Sequence, residues 1–272
     1  MNRNDIKLDL IETGNRYGYM NTASFPKEWS KEEKKEAFIE NRIKAGRAYG
    51  FDWHQMFMLD QTNKDGSYFA FTKDYVEANP NGWTDVPEDI GIITKDAPGI
   101  VVGHPVADCP VIVMQDIVKG VTAVAHCGCA QIDRKLPMMM ADALLDFCDS
   151  RDEDIATYVG ACAGDSWTYK GMPNWATDLD MWLDTGGIVM NDEYVKNKDG
   201  IYVPKLSIDL RKTIAYQLQK RNLQMDQVRF NMDDTITNDM YYSNHAASPD
   251  GLNQKEKAGR NFTGAFYKVK KR

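Results

Sequence analysis

The sequence predicts one α+β domain spanning residues 1–272, with a mixed β-sheet core flanked by helices. Three observations lead there. Apolar β-branched runs and amphipathic helical stretches mix along the chain without the strict alternation of a βαβ fold. No repeat and no low-complexity linker divides the chain. Its 272 residues, 43% hydrophobic and 27% charged, have the ordinary composition of a globular protein and are enough to bury a large core.

Residues 1–28 read as strand and loop, with Tyr17, Tyr19 and Phe25 available for packing. Ser30-Lys31-Glu32-Glu33 is a capping box, and a helix runs from it to Tyr49 with Phe38, Ile39 and Ile43 as its buried stripe. Phe51 to Leu59 leads into the polar turn Asp60–Gly66, and Phe69 to Thr72 reads as a short strand. Residues 73–90, with Pro80, Gly82 and Pro87, read as loop. Ile90–Thr94 and Gly99–Val106 read as strands feeding a hairpin, Val111–Met114 and Val121–Ala125 around Ile117–Gly120. Leu136 to Asp149 is a helix with Pro137 in its first turn and Met140, Leu144, Phe147 and Cys148 on one face. Ile155–Val159 is a strand, and residues 165–200, with Trp167, Trp175 and Trp182 among many acids, read as a long loop that the three tryptophans anchor to the core, or alternatively as a lid or partner surface. Asp209 caps a helix to Lys220 with Ile214 and Leu218 inward, Val228–Met232 is a strand, and Phe262–Val269 is the last one.

Net charge is −7, which argues against a nucleic-acid surface and for a small-molecule partner. No 18-residue apolar run exists and the N-terminus has no signal-peptide core, so neither a membrane span nor export is expected. Five cysteines without a CxxC pair suit reduced thiols in a cytoplasmic protein. The fourteen methionines are scattered and read as core.

The chemistry concentrates in Ala107–Ala130, ADCPVIVMQDIVKGVTAVAHCGCA. The midpoint of Cys109 and His126 falls inside the presumed turn, which sets them nearly opposite each other in an antiparallel pair. A thiol and an imidazole that close can share a metal or act as nucleophile and base. A buried cysteine and a hydrogen-bonded core histidine would give the same pattern. His104 lies five residues before Cys109, an odd separation that in a regular strand turns it to the opposite face. His54 reaches the pair only if its segment turns inward. Gly160-Ala161-Cys162-Ala163-Gly164 is either a tight turn or a loop whose amides approach a ligand. His245, in a polar context, reads as a solvated loop residue or a pocket wall.

Laid out in order, these segments resemble the laccase-domain family, also called YfiH-like proteins. Its members are described as polyphenol oxidases, purine nucleoside phosphorylases with adenosine deaminase side activity, or peptidoglycan editing factors. The similarity covers roughly residues 37–272. GFDWHQMFMLDQTNKDG at 50–66 is similar to the family's Gln-x-His segment, and DIGIITKDAPGI at 89–100 to its "DG-ITN-PG" segment. ADCPVIVMQD at 107–116 matches Ala-Asp-Cys, and AHCGC at 125–129 matches the start of His-x-Gly-Trp-Arg-Gly. GACAG at 160–164 resembles Gly-Pro-x-Ile-Gly; SIDL at 207–210, DT at 234–235, YYSNHA at 241–246 and GRN at 259–261 follow in register.

The resemblance implies a metal site holding Zn, or alternatively Cu, on Cys109 and His126. The position of the family's first histidine is Asn63, a poor ligand that would bind the metal weakly or serve as a polar orienting group. Trp and Arg after the family's second histidine become Cys129 and Ala130, its Cys-Thr cysteine becomes Asp234, and an Arg pair becomes Asn244-His245. Cys109, His126 and Asn63 are the implied catalytic residues; Gly160, Gly164, Tyr242, His245 and Arg260 are the implied substrate contacts. The implied function is purine nucleoside processing, by phosphorolysis or deamination. The alternatives are copper-dependent phenol oxidation and a non-catalytic paralogue that binds a ligand or partner.

Overall fold

The computed structural model describes residues 9–21, 25–59, 61, 63–79, 85–197, 199–248 and 252–268. Its chain forms β1 (Asp9–Glu12), the long helix α1 (Lys31–Tyr49), β2 (Met56–Leu59), β3 (Tyr68–Phe71), α2 (Lys73–Ala78) and β4 (Asp85–Val86). Strands β5 (Ile90–Thr94), β6 (Val101–Val106), β7 (Val111–Asp116) and β8 (Val121–His126) precede helices α3 (Cys129–Asp133) and α4 (Leu136–Cys148). The order continues with β9 (Ile155–Val159), β10 (Trp167–Lys170), α5 (Leu179–Asp184), β11 (Ile188–Lys196) and β12 (Tyr202–Ile208). It ends with α6 (Leu210–Lys220), β13 (Val228–Phe230), α7 (Asn244–Ala247) and β14 (Asn261–Phe266).

Two mixed sheets carry the fold. One has the order β1-β14-β6-β2-β4 and the other β13-β9-β7-β8-β5-β3, each with parallel and antiparallel neighbours. Period-two alternation sends Val111, Val113 and Val124 to one face, where they meet Phe57, Val102 and Ala265 of the other sheet. Ile112, Met114, Ala123 and Ala125 face the opposite way, onto Met140 and Leu144 of α4 and Ile214 and Leu218 of α6. Beyond the other sheet, Val101, Phe262 and Phe266 pack near Ala45 of α1. The result is an α+β stack of helix, sheet, sheet, helix. Because both faces of β7 are covered, all six of its residues are buried. No helix among the described residues is long and apolar enough to cross a membrane.

Local signals in the sequence are realised. In the capping box Ser30 Oγ accepts from Glu33 N–H at 3.1 Å and Glu33 Oε2 accepts from Ser30 N–H at 2.7 Å. Gly50, at φ 86°, closes α1. Pro137 stands in the first turn of α4, and Asp209 caps α6.

Four expectations need correction. The stripe of α1 is Phe38, Arg42, Ala45 and Gly46; Ile39 and Ile43 are only half-buried, because the Arg42 guanidinium stacks 4.0 Å over the Phe38 ring and takes the inward position. Residues 73–78 are helical, while Pro80 and Gly82 lie outside the described residues, as does Val269. The 165–200 segment is not a long loop. It supplies β10, α5 and β11, and with β12 makes a third sheet in the order β10-β12-β11. Trp182 does anchor it: its Nε1–H donates to Asp133 at 2.9 Å, and Trp175 meets its ring edge-on at 5.0 Å. Finally, β6 does not feed the hairpin sheet; it belongs to the other one.

Candidate functional site

The site lies at one end of the gap between the two main sheets. Along β8, Val124 faces that gap, and His126, two residues on, points the same way. From the facing sheet Val102 does the same, and His104 follows it by two residues. The rings of His104 and His126 therefore meet face to face, with centroids 4.6 Å apart and planes at 10°. This corrects the parity expectation for His104. Parity holds only along one unbroken strand, and here β6 ends at Val106 and Asp108 turns back with φ 83°.

The hairpin register also differs from the expected one. His126 pairs with Val111, and Cys109 lies two residues further back, before the strand begins. The turn closes one residue later than its midpoint suggested, with Gly120 N–H donating to Asp116 C=O at 2.8 Å. Cys109 still reaches His126, by a loop rather than across the ladder. A Cβ built on Gly128 would lie 3.2 Å from Cys109 Sγ and 3.4 Å from His126 Cε1, so both side chains close around that glycine.

Gln61, buried and held at φ 59°, makes the decisive contact to His126. Its Nε2–H donates to the His126 backbone carbonyl at 2.7 Å, and its Oε1 lies 2.7 Å from His126 Nδ1. Gln131 Nε2–H also donates to Gln61 Oε1, at 3.3 Å. Asn63, two residues on, is exposed; its side chain meets Ser67 Oγ at 3.5 Å and its amide donates to Pro87 C=O. The structure thus turns Gln61 inward and leaves Asn63 at the surface. The left-handed backbone at Gln61 is what sets the two apart, and no side-chain pattern announces it.

Cys109 and His126 are both half-buried. Burial pushes the Cys109 thiol up to about 12, with Asp108 adding to it and the Arg260 charge and the Cys129 amide opposing. The thiol is therefore protonated at neutral pH and a poor nucleophile. Burial, then His104, then Arg260 hold His126 well below the usual histidine range, so its ring is neutral. Behind Cys109, Asp108 gathers three walls of the site. Its carboxylate accepts from Thr235 Oγ1–H at 2.9 Å and from His245 N–H at 2.8 Å, and its carbonyl accepts from Ala163 N–H at 2.7 Å. Asp108 and Gln61 stand inside the Ala-Asp-Cys and Gln-x-His segments, yet neither is among the implied site residues.

The remaining candidates divide. Arg260 stands close enough to act electrostatically on both Cys109 and His126, and its Nη1–H donates to Gly259 C=O. Tyr242 is half-buried, packs on Tyr19 with ring centroids 5.2 Å apart, and has its hydroxyl pushed up to about 12 by burial and then Tyr19. His245 Nε2 is buried with no hydrogen-bond partner among the described residues. The Gly160–Gly164 loop is a structural turn: the amides of Gly160, Ala161 and Ala163 donate to Val111 C=O, Glu12 Oε1 and Asp108 C=O. Those three amides are not directed at an anion, which corrects that part of the expectation. Gly160 is needed for fit, since a Cβ there would sit 3.0 Å from Glu12 Oε1; at Gly164 it would collide with the Arg211 guanidinium. His54 stays with Asp52 and Trp53 in the turn before β2.

The arrangement does not fit a resident metal. Among the described residues no group of three or more His, Cys, Asp or Glu side chains is placed to hold one. Parallel imidazoles cannot both aim in-plane lone pairs at one ion about 2.0–2.1 Å from each nitrogen.

Comparison with known proteins agrees with this architecture. At a TM-score of 0.68 and 16% identity the chain is similar to the Bacillus licheniformis hypothetical protein YfiH, covering 96% of this chain and 92% of that one. YlmD from Geobacillus stearothermophilus gives 0.68 and 15% over 96% and 92%. The Neisseria meningitidis protein NMB0706 gives 0.62 and 14% over 98% and 92%. No curated protein matches by sequence. The family model described as multi-copper polyphenol oxidoreductase laccase matches residues 15–266. That match spans nearly the whole chain, and the chain belongs to this laccase-domain family.

Proposed function

We propose that this protein processes purine nucleosides, with neutral His126 as the acid–base group. One observation carries the reading: a half-buried imidazole, uncharged, has Nδ1 occupied by Gln61 and Nε2 without a hydrogen-bond partner among the described residues, near the Arg260 charge. In deamination, water oxygen bonds to the purine carbon bearing the amino group, and its proton passes to Nε2. The proton then leaves with departing ammonia. In phosphorolysis, a phosphate oxygen bonds to the glycosidic carbon and the carbon–nitrogen bond breaks. The attacking dihydrogen phosphate gives up a proton to Nε2, which passes it to the departing purine, and Arg260 offsets the phosphate charge. Tyr242 offers an aromatic face for the base, and the unpartnered Nε2 of His245 offers a polar contact.

The family description suggests copper and phenol oxidation, for which Cys109 and His126 supply two donors and Asn63, exposed, supplies none. Zinc chemistry at the same pair has the same shortfall. A ligand-binding role without turnover draws support from the protonated Cys109 thiol. Incubation with adenosine and inosine, each with and without phosphate, separates these readings by chromatography. Conversion to inosine without phosphate marks deamination, free purine with phosphate marks phosphorolysis, and His126→Ala is expected to slow either by about 10²–10⁴-fold. Binding without conversion selects the non-catalytic role.

A further inference from the structure

We propose that Gln61 is a positioning residue that holds His126 in one tautomer, with the proton on Nδ1 and the lone pair on Nε2. The assignment follows from what each atom is able to do. The His126 backbone carbonyl only accepts, so the Gln61 atom 2.7 Å from it is the amide nitrogen. The other amide atom is then Oε1, which only accepts and lies 2.7 Å from Nδ1. Gln131 donating to that same atom at 3.3 Å agrees. Nδ1 must therefore carry the hydrogen, and the neutral ring leaves its lone pair on Nε2. The clamp grips ring and main chain of one residue at once, so it fixes ring rotation as well as tautomer.

Two further features mark Gln61 as more than filler. It is buried, yet its backbone sits at φ 59°, a left-handed conformation that is strained for a residue with a Cβ. That strain brings its amide to His126 while Asn63 turns out to Ser67. At this corner of the site a hydrogen-bonding amide steers the imidazole, and among the described residues no third metal donor joins Cys109 and His126.

The role of Gln61 in turnover rests on the nucleoside reading above; its hold on the ring does not. The test is therefore read first without substrate. Long-range nitrogen–proton correlation NMR of the imidazoles, assigned with His126→Ala, is expected to show His126 wholly as the Nδ1–H tautomer. Gln61→Leu, which removes both hydrogen bonds, is expected to release it into a mixture containing Nε2–H. Gln61→Glu, read at acidic pH where its buried carboxyl is protonated, donates its O–H to the His126 carbonyl and accepts from Nδ1–H; it is expected to keep the wild-type tautomer, so the comparison survives if the leucine variant folds poorly. A wild-type His126 with its proton on Nε2, or a Gln61→Leu spectrum unchanged from wild type, overturns the proposal. With nucleoside substrate, Gln61→Leu is expected to lower kcat about 10- to 100-fold with KM little changed, and Gln61→Glu to recover most of it. Equal loss in both variants would reduce Gln61 to a packing role.

Discussion

Thr122 and His126 project from the same face of β8 into the same gap, four residues or about 13 Å apart, and a glutamine meets each of them. At the Thr122 end, Gln115 Nε2–H donates to Tyr267 Oη at 2.7 Å and to Thr122 Oγ1 at 3.3 Å, and the two hydroxyls lie 2.8 Å apart. All three side chains are buried, and the cluster pairs within the protein. At the His126 end, Gln61 satisfies one ring nitrogen and leaves the other at a half-buried rim. The same device thus has two outcomes. A closed polar cluster serves stability, because breaking it strands buried groups; an open one leaves its last lone pair available to a ligand.

The largest expected effect crosses the two ends. Tyr267→Phe leaves Gln115 and Thr122 short of a partner and is expected to lower stability by about 1–3 kcal/mol in urea denaturation, with nucleoside turnover unchanged. His126→Ala is expected to do the reverse, removing turnover at little cost in stability. If Tyr267→Phe were the variant to lose turnover, the division between the ends would fail.

Alkaline pH next probes the buried tyrosines, Tyr267 in the closed cluster and Tyr242 at the open site among them. Burial leads the causes that raise the hydroxyls of Tyr158, Tyr241, Tyr242 and Tyr267 above their ordinary value. In the unfolded chain these groups lose protons near pH 10. The folded state then binds more protons than the unfolded one, so stability is full below that pH and falls as pH rises above it. Denaturation midpoints should be level up to about pH 9 and decline beyond, less steeply in Tyr267→Phe; a midpoint rising with alkalinity would contradict the burial of these rings.

The smallest effect comes from crowding the open end. In Gly128→Ala the new methyl would lie 2.9 Å from Gln131 Oε1 and 3.2 Å from Cys109 Sγ, and Gln131 yields only by shifting its 3.3 Å hydrogen bond to Gln61. A few-fold rise in KM is expected, with stability changed by no more than about 1 kcal/mol. Unaltered kinetics would place the substrate away from Cys109 and His126.

What was legible in the sequence was local. Ser30 and Glu33, Pro137, Asp209 and the β-branched runs at 111–114 and 121–125 each carry their signal within a few residues, and each element forms where that signal lies. Cys109 and His126 do share a corner. What escaped depends on backbone turns and on distant sheets. Gln61 and Asn63 exchange inside and outside through one left-handed residue, and the same conformation at Asp108 breaks the parity that seemed to send His104 away. The third sheet was hidden because β11 is mostly exposed and mixes acids with apolar residues, so it lacks the alternation of a half-buried strand.

The most direct measurement is conversion of adenosine and inosine, with and without phosphate, by chelator-treated wild type beside His126→Ala. Chelated protein is expected to convert one of these nucleosides at the untreated rate, and His126→Ala to lose about 10²–10⁴-fold. No conversion of either nucleoside, or conversion that returns only on adding zinc or copper, would contradict an acid–base site centred on His126.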